Sequence, residues 1–327
     1  MHVLLTGSSG WLGRHLAPML RARGHLVTGL DVAPGAATDV IGSVADPVLI
    51  DRLFTERGIE AVVHGGALHK PDIARYSNQA FVDVNVSGTL NLLEAAARAG
   101  HRRFVFTSTT SLMIGQAIRD ERGDAAVWLD EEFGPIAPRN IYGATKHAAE
   151  QLCRLFHADH RLDCVVLRTG RFFPEEDDTH RDPPGENLKA NEFLNRRLTV
   201  EDAARAHVAA LEWPDTLGFR TYIVSAPTPF RRGDRAELMG DARAVIARRF
   251  PDAEALYARR GWRLPARIGR VYDSGRIQRE LNFRFDTGFA DILAALRADA
   301  PLPFAHDARY LSPQEAVRVR RDGAPSG

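Results

Sequence analysis

Val3-Leu4-Leu5-Thr6-Gly7-Ser8-Ser9-Gly10-Trp11-Leu12-Gly13 is the stretch whose reading decides the fold. Val3 to Leu5 is a short apolar run of strand type, and Leu12, Leu16, Met19 and Leu20 then recur at helical spacing. Strand, glycine turn and helix in that order make a phosphate-binding element. Gly7 permits the tight turn, Gly10 lets a pyrophosphate approach the backbone, and Gly13 lets the helix pack closely on the strand. The helix start adds unpaired N–H groups and a partial positive charge. A second apolar run, His25 to Leu30, ends at Asp31, about where an acid should bind ribose hydroxyls. A carboxylate there repels a 2′-phosphate, so NAD is expected over NADP.

Outward from this unit, strands and helices alternate. Leu49 to Arg57 reads as a helix, and Ala61-Val62-Val63-His64 as a buried strand running into Gly65-Gly66-Ala67. Val82 to Ala99 is a longer helix, and Phe104-Val105-Phe106 a strand ending in the hydroxyls Thr107 to Ser111. Gln116 to Arg139 is polar and reads as a loop; Cys164 to Leu167 is another strand. The alternation predicts an α/β fold, a doubly wound, Rossmann-like parallel sheet covered on both faces. Residues 1–170 form its core. Residues 171–299 combine core elements with a small C-terminal substrate-binding lobe, and 300–327 an irregular tail.

Within 171–299, Glu175 to Asp178 and Arg181 to Gly185 suggest a surface loop or lid. Thr199 caps a helix through Leu211, with Glu201 and Asp202 in its first turn. Thr221 to Ser225 is a strand, Val245 to Tyr257 a helix, Asp273 onward a helix ending near Leu281, and Phe289 to Leu296 the last helix.

Composition narrows the function. Lys+Arg 43 against Asp+Glu 42 leaves a formal net charge of +1, so no global field recommends nucleic acid or an acidic membrane. Cys153 and Cys164 are too few for a disulfide framework or a cysteine zinc site, and His157 and His160 gather no carboxylates, so no metal is expected. Without an 18-residue apolar run or a signal peptide, the cytosol is the default address.

Ile141-Tyr142-Gly143-Ala144-Thr145-Lys146 carries the chemistry. Tyr142 and Lys146 stand one helical turn apart on the same face. A phenol ordinarily loses its proton near pH 10, and a neighbouring ammonium favours the phenolate, so the pair suits proton transfer.

These pieces together resemble the extended short-chain dehydrogenase/reductase family, the NAD-dependent epimerase/dehydratase group. Thr6 to Gly13 matches T-G-x-x-G-x-x-G, Asn85 to Glu94 resembles N-x-x-G-T-x-N-L-L-E, and Asn140 to Lys146 matches N-x-Y-G-x-x-K. Leu167 to Pro174 stands where the family has L-R-x-x-N-x-Y-G-P, and Val271 to Leu281 resembles its C-terminal helix. The resemblance implies Tyr142 as proton donor and acceptor and Lys146 as the group that holds the nicotinamide ribose and lowers the Tyr142 pKa. It implies Thr110 as the hydroxyl on the reacting oxygen, with Ser108, Thr109 and Ser111 close by in register. Cofactor contacts would come from Gly7, Ser9, Gly10, Trp11, Leu12, Asp31, Ser43, Val44, Gly66, Ala67, Asn85, Tyr142, Lys146 and Thr169. Substrate contacts would come from His69, Ser111, Arg171 and Arg197. A homodimer through Val82–Ala99 and Tyr142–Phe156 is implied as well.

The chain departs from the family at Ser43, where many members have an adenine-binding Asp, at Ile114, where a Tyr is usual, and at Arg171, where an Asn is usual. Only about two dozen residues separate Pro174 from Leu198, fewer than a nucleotide-covering insertion needs. The leading expectation is an NAD-dependent oxidoreductase acting on a secondary alcohol of a small, sugar-like substrate. The alternatives are a UDP-sugar 4-epimerase that keeps its NAD and a non-catalytic NAD-binding protein.

Overall fold

Among the described residues nine strands form: β1 (His2–Thr6), β2 (Leu26–Asp31), β3 (Val40–Ile41), β4 (Ala61–His64), β5 (Arg103–Thr109), β6 (Val127–Leu129), β7 (Asp163–Thr169), β8 (Phe219–Val224) and β9 (Arg270–Tyr272). They come from a computed structural model that describes residues 1–101, 103–176, 183 and 185–322. Seven of them make one parallel sheet in the order β3-β2-β1-β4-β5-β7-β8. The chain reverses direction across the sheet between β1 and β4. Their carboxyl ends are level there, Thr6 paired with both Leu30 and His64. Open α/β sheets bind ligands at such a switch point.

Side-chain alternation builds a core on each face of the sheet. Leu4, Val62, Phe104 and Phe106 face the helices Pro47–Arg57, Gly88–Arg98 and Ile141–His160. Val3, Leu5, Val63 and Val105 face Trp11–Ala22 and Val200–Glu212. Each fully buried Leu or Phe contributes roughly 2 kcal/mol of apolar burial. Thr199 caps the latter helix, its hydroxyl accepting from the Asp202 N–H at 3.1 Å.

The structure corrects several boundaries. The helix expected at Val82–Ala99 begins at Asn78 and is interrupted by a π turn at Asp83–Ser87. Val245–Tyr257 is two helices, Ala242–Arg249 and Ala253–Arg259, because Pro251 disfavours the helical conformation at Phe250 (φ −136°, ψ 79°). The Gln116–Arg139 loop contains a short helix, Gln116–Arg119, and β6, which pairs with β9. Residues 300–327 are not irregular throughout, since Pro313–Asp322 is helical. Of the expected lid, residues 177–182 and 184 lie outside the described residues, and Gly185–Glu192 is a helix. No helix among the described residues is long and apolar enough to cross a membrane.

Candidate active site

A cavity of about 540 Å³ opens at the carboxyl ends of the central strands, a size typical of small-molecule sites. Gly7 (φ +74°) turns the chain after β1, and a Cβ there would stand 2.8 Å from the Gly65 carbonyl carbon. A Cβ on Gly13 would lie 2.2 Å from the Gly7 oxygen, so the first helical turn sits directly on the loop. No side chain caps this helix, and Gly10, Trp11 and Leu12 line the cavity. The N–H groups of that turn therefore face no competing cap. Asp31, at the end of β2, accepts from Ser9 N at 3.0 Å and Ala33 N at 3.0 Å and lines the same space. The buried Trp11 indole N–H has no acceptor among the described residues. A glycine cradle, an uncapped helix start and a carboxylate suit a dinucleotide with a pyrophosphate and a 2′-hydroxyl.

A relay of buried hydrogen bonds shapes the loop after β4. Gly66 N donates to Thr6 Oγ1 at 3.0 Å, and His64 bridges Thr6 Oγ1 (2.7 Å) and Thr89 Oγ1 (3.0 Å). The Thr89 hydroxyl donates to the Asn85 carbonyl at 2.7 Å, which leaves it to accept from His64 Nε2–H. Burial, and then the Lys146 charge, hold His64 well below its ordinary value, so it stays neutral. Asn85, on the π turn, clasps Leu68 through both its N–H (2.8 Å) and its C=O (3.0 Å) and bonds Thr145 Oγ1 at 3.1 Å. π turns recur at functional sites for this kind of reason. Asn85 thus braces the loop and does not line the cavity, which corrects its expected cofactor contact.

The helix Ile141–His160 presents Tyr142 and Lys146 to the cavity, its start capped by Asn140 accepting from Gly143 N at 2.9 Å. Both side chains are buried. Burial pushes Tyr142 up to about 12, with the Thr109 hydroxyl bond opposing and Asp72 adding. Burial pushes Lys146 down to about 7, against Cys153 and Glu150, and its ammonium lies 4.1 Å from the Phe106 ring centroid. The expectation that Lys146 lowers the Tyr142 pKa is therefore not what dominates here; desolvation wins. Thr110 Oγ1 donates to the Thr169 carbonyl at 3.2 Å, and Thr109 Oγ1 accepts from Ser111 N at 3.1 Å. Both threonines line the cavity with Tyr142.

Beneath the helix, Glu150 accepts from Ser108 Oγ at 2.6 Å and from Arg168 Nε and Nη2 at 3.0 and 2.7 Å. This buried pair is one turn beyond Lys146, and i,i+4 spacing was the signal that could have found Glu150. Ser43, Val44, Gly66, Ala67, Thr169, Ser111, His69 and Arg171 all line the cavity. The Ser43 hydroxyl accepts from Ala45 N and the Val44 carbonyl from Asn91 Nδ2. The His69 ring lies 5.8 Å from the Tyr142 ring and 5.6 Å from that of Phe173. Burial and Lys146, opposed by Asp31, lower His69 to about 4, so it too is neutral.

Arg197 is corrected outright. It is 1% exposed, ion-paired to Glu192 at 2.7 Å and donating to the Phe173 carbonyl at 2.5 Å, and it does not line the cavity. Arg196 and Arg270 line it instead. Burial and the Arg196 charge lower the Arg270 guanidinium, and its Nε has no acceptor among the described residues.

The model of the NAD dependent epimerase/dehydratase family matches residues 3–190. A dTDP-glucose 4,6-dehydratase of Streptomyces griseus is 30% identical over 331 residues, covering 90% of this chain and 92% of its own. A uronate dehydrogenase of Pseudomonas syringae pv. tomato is 27% identical over 229 residues, 68% of this chain and 74% of its own. The chain spans about half the length of several other curated relatives, 48% for UDP-glucose 4-epimerase 4 of Oryza sativa subsp. japonica. Among solved structures, a short-chain dehydrogenase/reductase superfamily protein of Agrobacterium tumefaciens with bound NAD superposes with a TM-score of 0.63 at 22% identity. That match covers 98% of this chain and 100% of the other.

Proposed function

Because the chain belongs to the NAD dependent epimerase/dehydratase family, we propose that it is an NAD-dependent oxidoreductase that moves hydride to or from a secondary alcohol of a small, sugar-like substrate. The observation that carries this reading is a buried Tyr142 in one cavity with Thr110, Lys146, Asp31 and the glycine turn. Gly10 to Leu12 would hold the pyrophosphate, Asp31 the adenosine ribose, and Lys146 the nicotinamide ribose. NAD, when bound, supplies the hydride acceptor or donor.

The remaining chemistry belongs to the protein. With its pKa near 12, Tyr142 is a neutral phenol at physiological pH and donates its proton to a ketone oxygen in the reducing direction. Thr109, Thr110 and Ser111 line the space where the substrate oxygen would lie, and Thr110 would be the hydroxyl that bonds it. Buried neutral His69 offers one further donor or acceptor beside the phenol. Arg196 and Arg270 on the cavity wall, the former also ion-paired to Glu192 at 3.0 Å, favour a substrate with a carboxylate or phosphate. The helices expected to pair in a homodimer leave Val82 and Leu155 exposed, which is compatible with that assembly.

Tyr142→Phe tests the assignment. Turnover falls by roughly 10²–10⁴-fold while NAD affinity is nearly unchanged; wild-type turnover refutes it. The second reading, a UDP-sugar 4-epimerase, uses the same residues and is separated by NADH, which accumulates with a dehydrogenase and not with an epimerase.

A further inference from the structure

Tyr310 to Glu315 line the same cavity as the glycine turn. The Tyr310 ring meets the Trp11 ring edge-on, with centroids 5.2 Å apart. The Arg14 guanidinium lies 4.0 Å from the Trp11 centroid and 5.4 Å from that of Tyr310. Burial raises Tyr310 to about 12, with Arg14 opposing and Glu175 and Asp31 adding. Tyr310 is therefore within electrostatic reach of Asp31, the carboxylate assigned to the adenosine ribose, and packs on the first residue of the phosphate-binding helix.

The segment is tied down at both ends. On one side Asp307 N donates to the Pro174 carbonyl at 2.9 Å, and His306 Nδ1 lies 2.9 Å from Lys189 Nζ. On the other side Glu315 pairs with Arg75, and Gln314 Nε2 donates to the Tyr76 hydroxyl at 2.7 Å. Residues 306–315 are half-buried or exposed, with Tyr310 half-buried and Leu311 45% exposed. The ties are polar and, except at the buried Lys189, at least partly accessible to solvent, each worth about 1 kcal/mol. Segments held in this way open locally at far lower cost than the core.

We propose that residues 306–315 form a strap that closes over the bound dinucleotide, adding Tyr310 to the cofactor site, and that opening of the strap limits cofactor exchange. The inference rests on the NAD assignment above and is independent of which substrate the enzyme takes. It gives the 306–315 segment a binding role that residues 3–190, the part matched by the family model, do not contain.

The test uses full-length wild type and a full-length Tyr310→Ala/Gln314→Ala/Glu315→Ala variant, both checked for cooperative melting. NADH dissociation is followed by stopped-flow fluorescence, and amide hydrogen exchange across 306–315 is measured with and without NAD. Loss of the Trp11–Tyr310 contact and two polar ties should speed dissociation about tenfold, and exchange across the strap in the wild type should slow when NAD is added. A wild type that binds NAD normally, with variant dissociation unchanged and strap exchange indifferent to NAD, overturns the strap alone. A wild type that binds no NAD overturns the cofactor assignment and the strap with it.

Discussion

Lys146 should destabilise the fold it serves. Its pKa falls from 10.5 to about 7 in the folded protein, chiefly through burial, so the unfolded chain binds the proton more tightly. Between about pH 7 and 10.5 the unfolded state carries more protons, and stability from this group rises with pH. At 1.36 kcal/mol per unit, the penalty is on the order of 4 kcal/mol at pH 7 and falls to roughly 2 kcal/mol at pH 9. Lys146→Met removes the charge, keeps apolar contact with Phe106, and abolishes this slope. Urea or thermal unfolding of both proteins at pH 7 and pH 9 measures it. The wild type should gain about 2 kcal/mol relative to the variant over that interval, roughly 3 °C in Tm for a chain of this size. The other titrating groups cancel in the comparison. Parallel pH curves, or a variant less stable than wild type at pH 7, refute the reasoning.

Thr110→Val should lower turnover, because Thr110 lines the cavity with Tyr142 and its hydroxyl is the one expected on the reacting oxygen; steady-state rates equal to wild type would remove Thr110 from that role. Asp31→Ala should lose preference for NAD over NADP, read as the ratio of kcat/KM values, since the carboxylate that repels a 2′-phosphate is gone; an unaltered ratio counts against that role. Gly13→Ala places a Cβ 2.2 Å from the Gly7 oxygen, so a change that normally stabilises a helix by about 1 kcal/mol should instead lower Tm and weaken NAD binding. A Tm at or above wild type would show that the turn can relax.

The sheet and its order of elements were legible because buried parallel strands announce themselves as apolar runs, and because glycines spaced as in the first turn suit close backbone approach and little else. Tyr142 and Lys146 were legible for a similar reason: helical periodicity is local. Thr109 and Thr110 were harder, since the strand passes into a 3₁₀ turn at that point and a shift of one residue changes which hydroxyl faces the phenol. Arg197 was misplaced because sequence shows an arginine's charge but not its burial partner; Glu192 pairs with both Arg197 and Arg196, and of the two arginines only Arg196 lines the cavity.

By itself, then, the order of residues determined the architecture, the glycine turn, the place of Asp31 at the end of its strand and the paired phenol and amine, all of which depend on neighbours within a few turns or on alternation along one strand. Tertiary structure alone decided that burial, rather than the lysine, governs the tyrosine pKa, that Asn85 holds a loop, and that residues 306–315 cross the cleft. Those outcomes depend on desolvation and on contacts between segments far apart in the chain, and no local pattern encodes either.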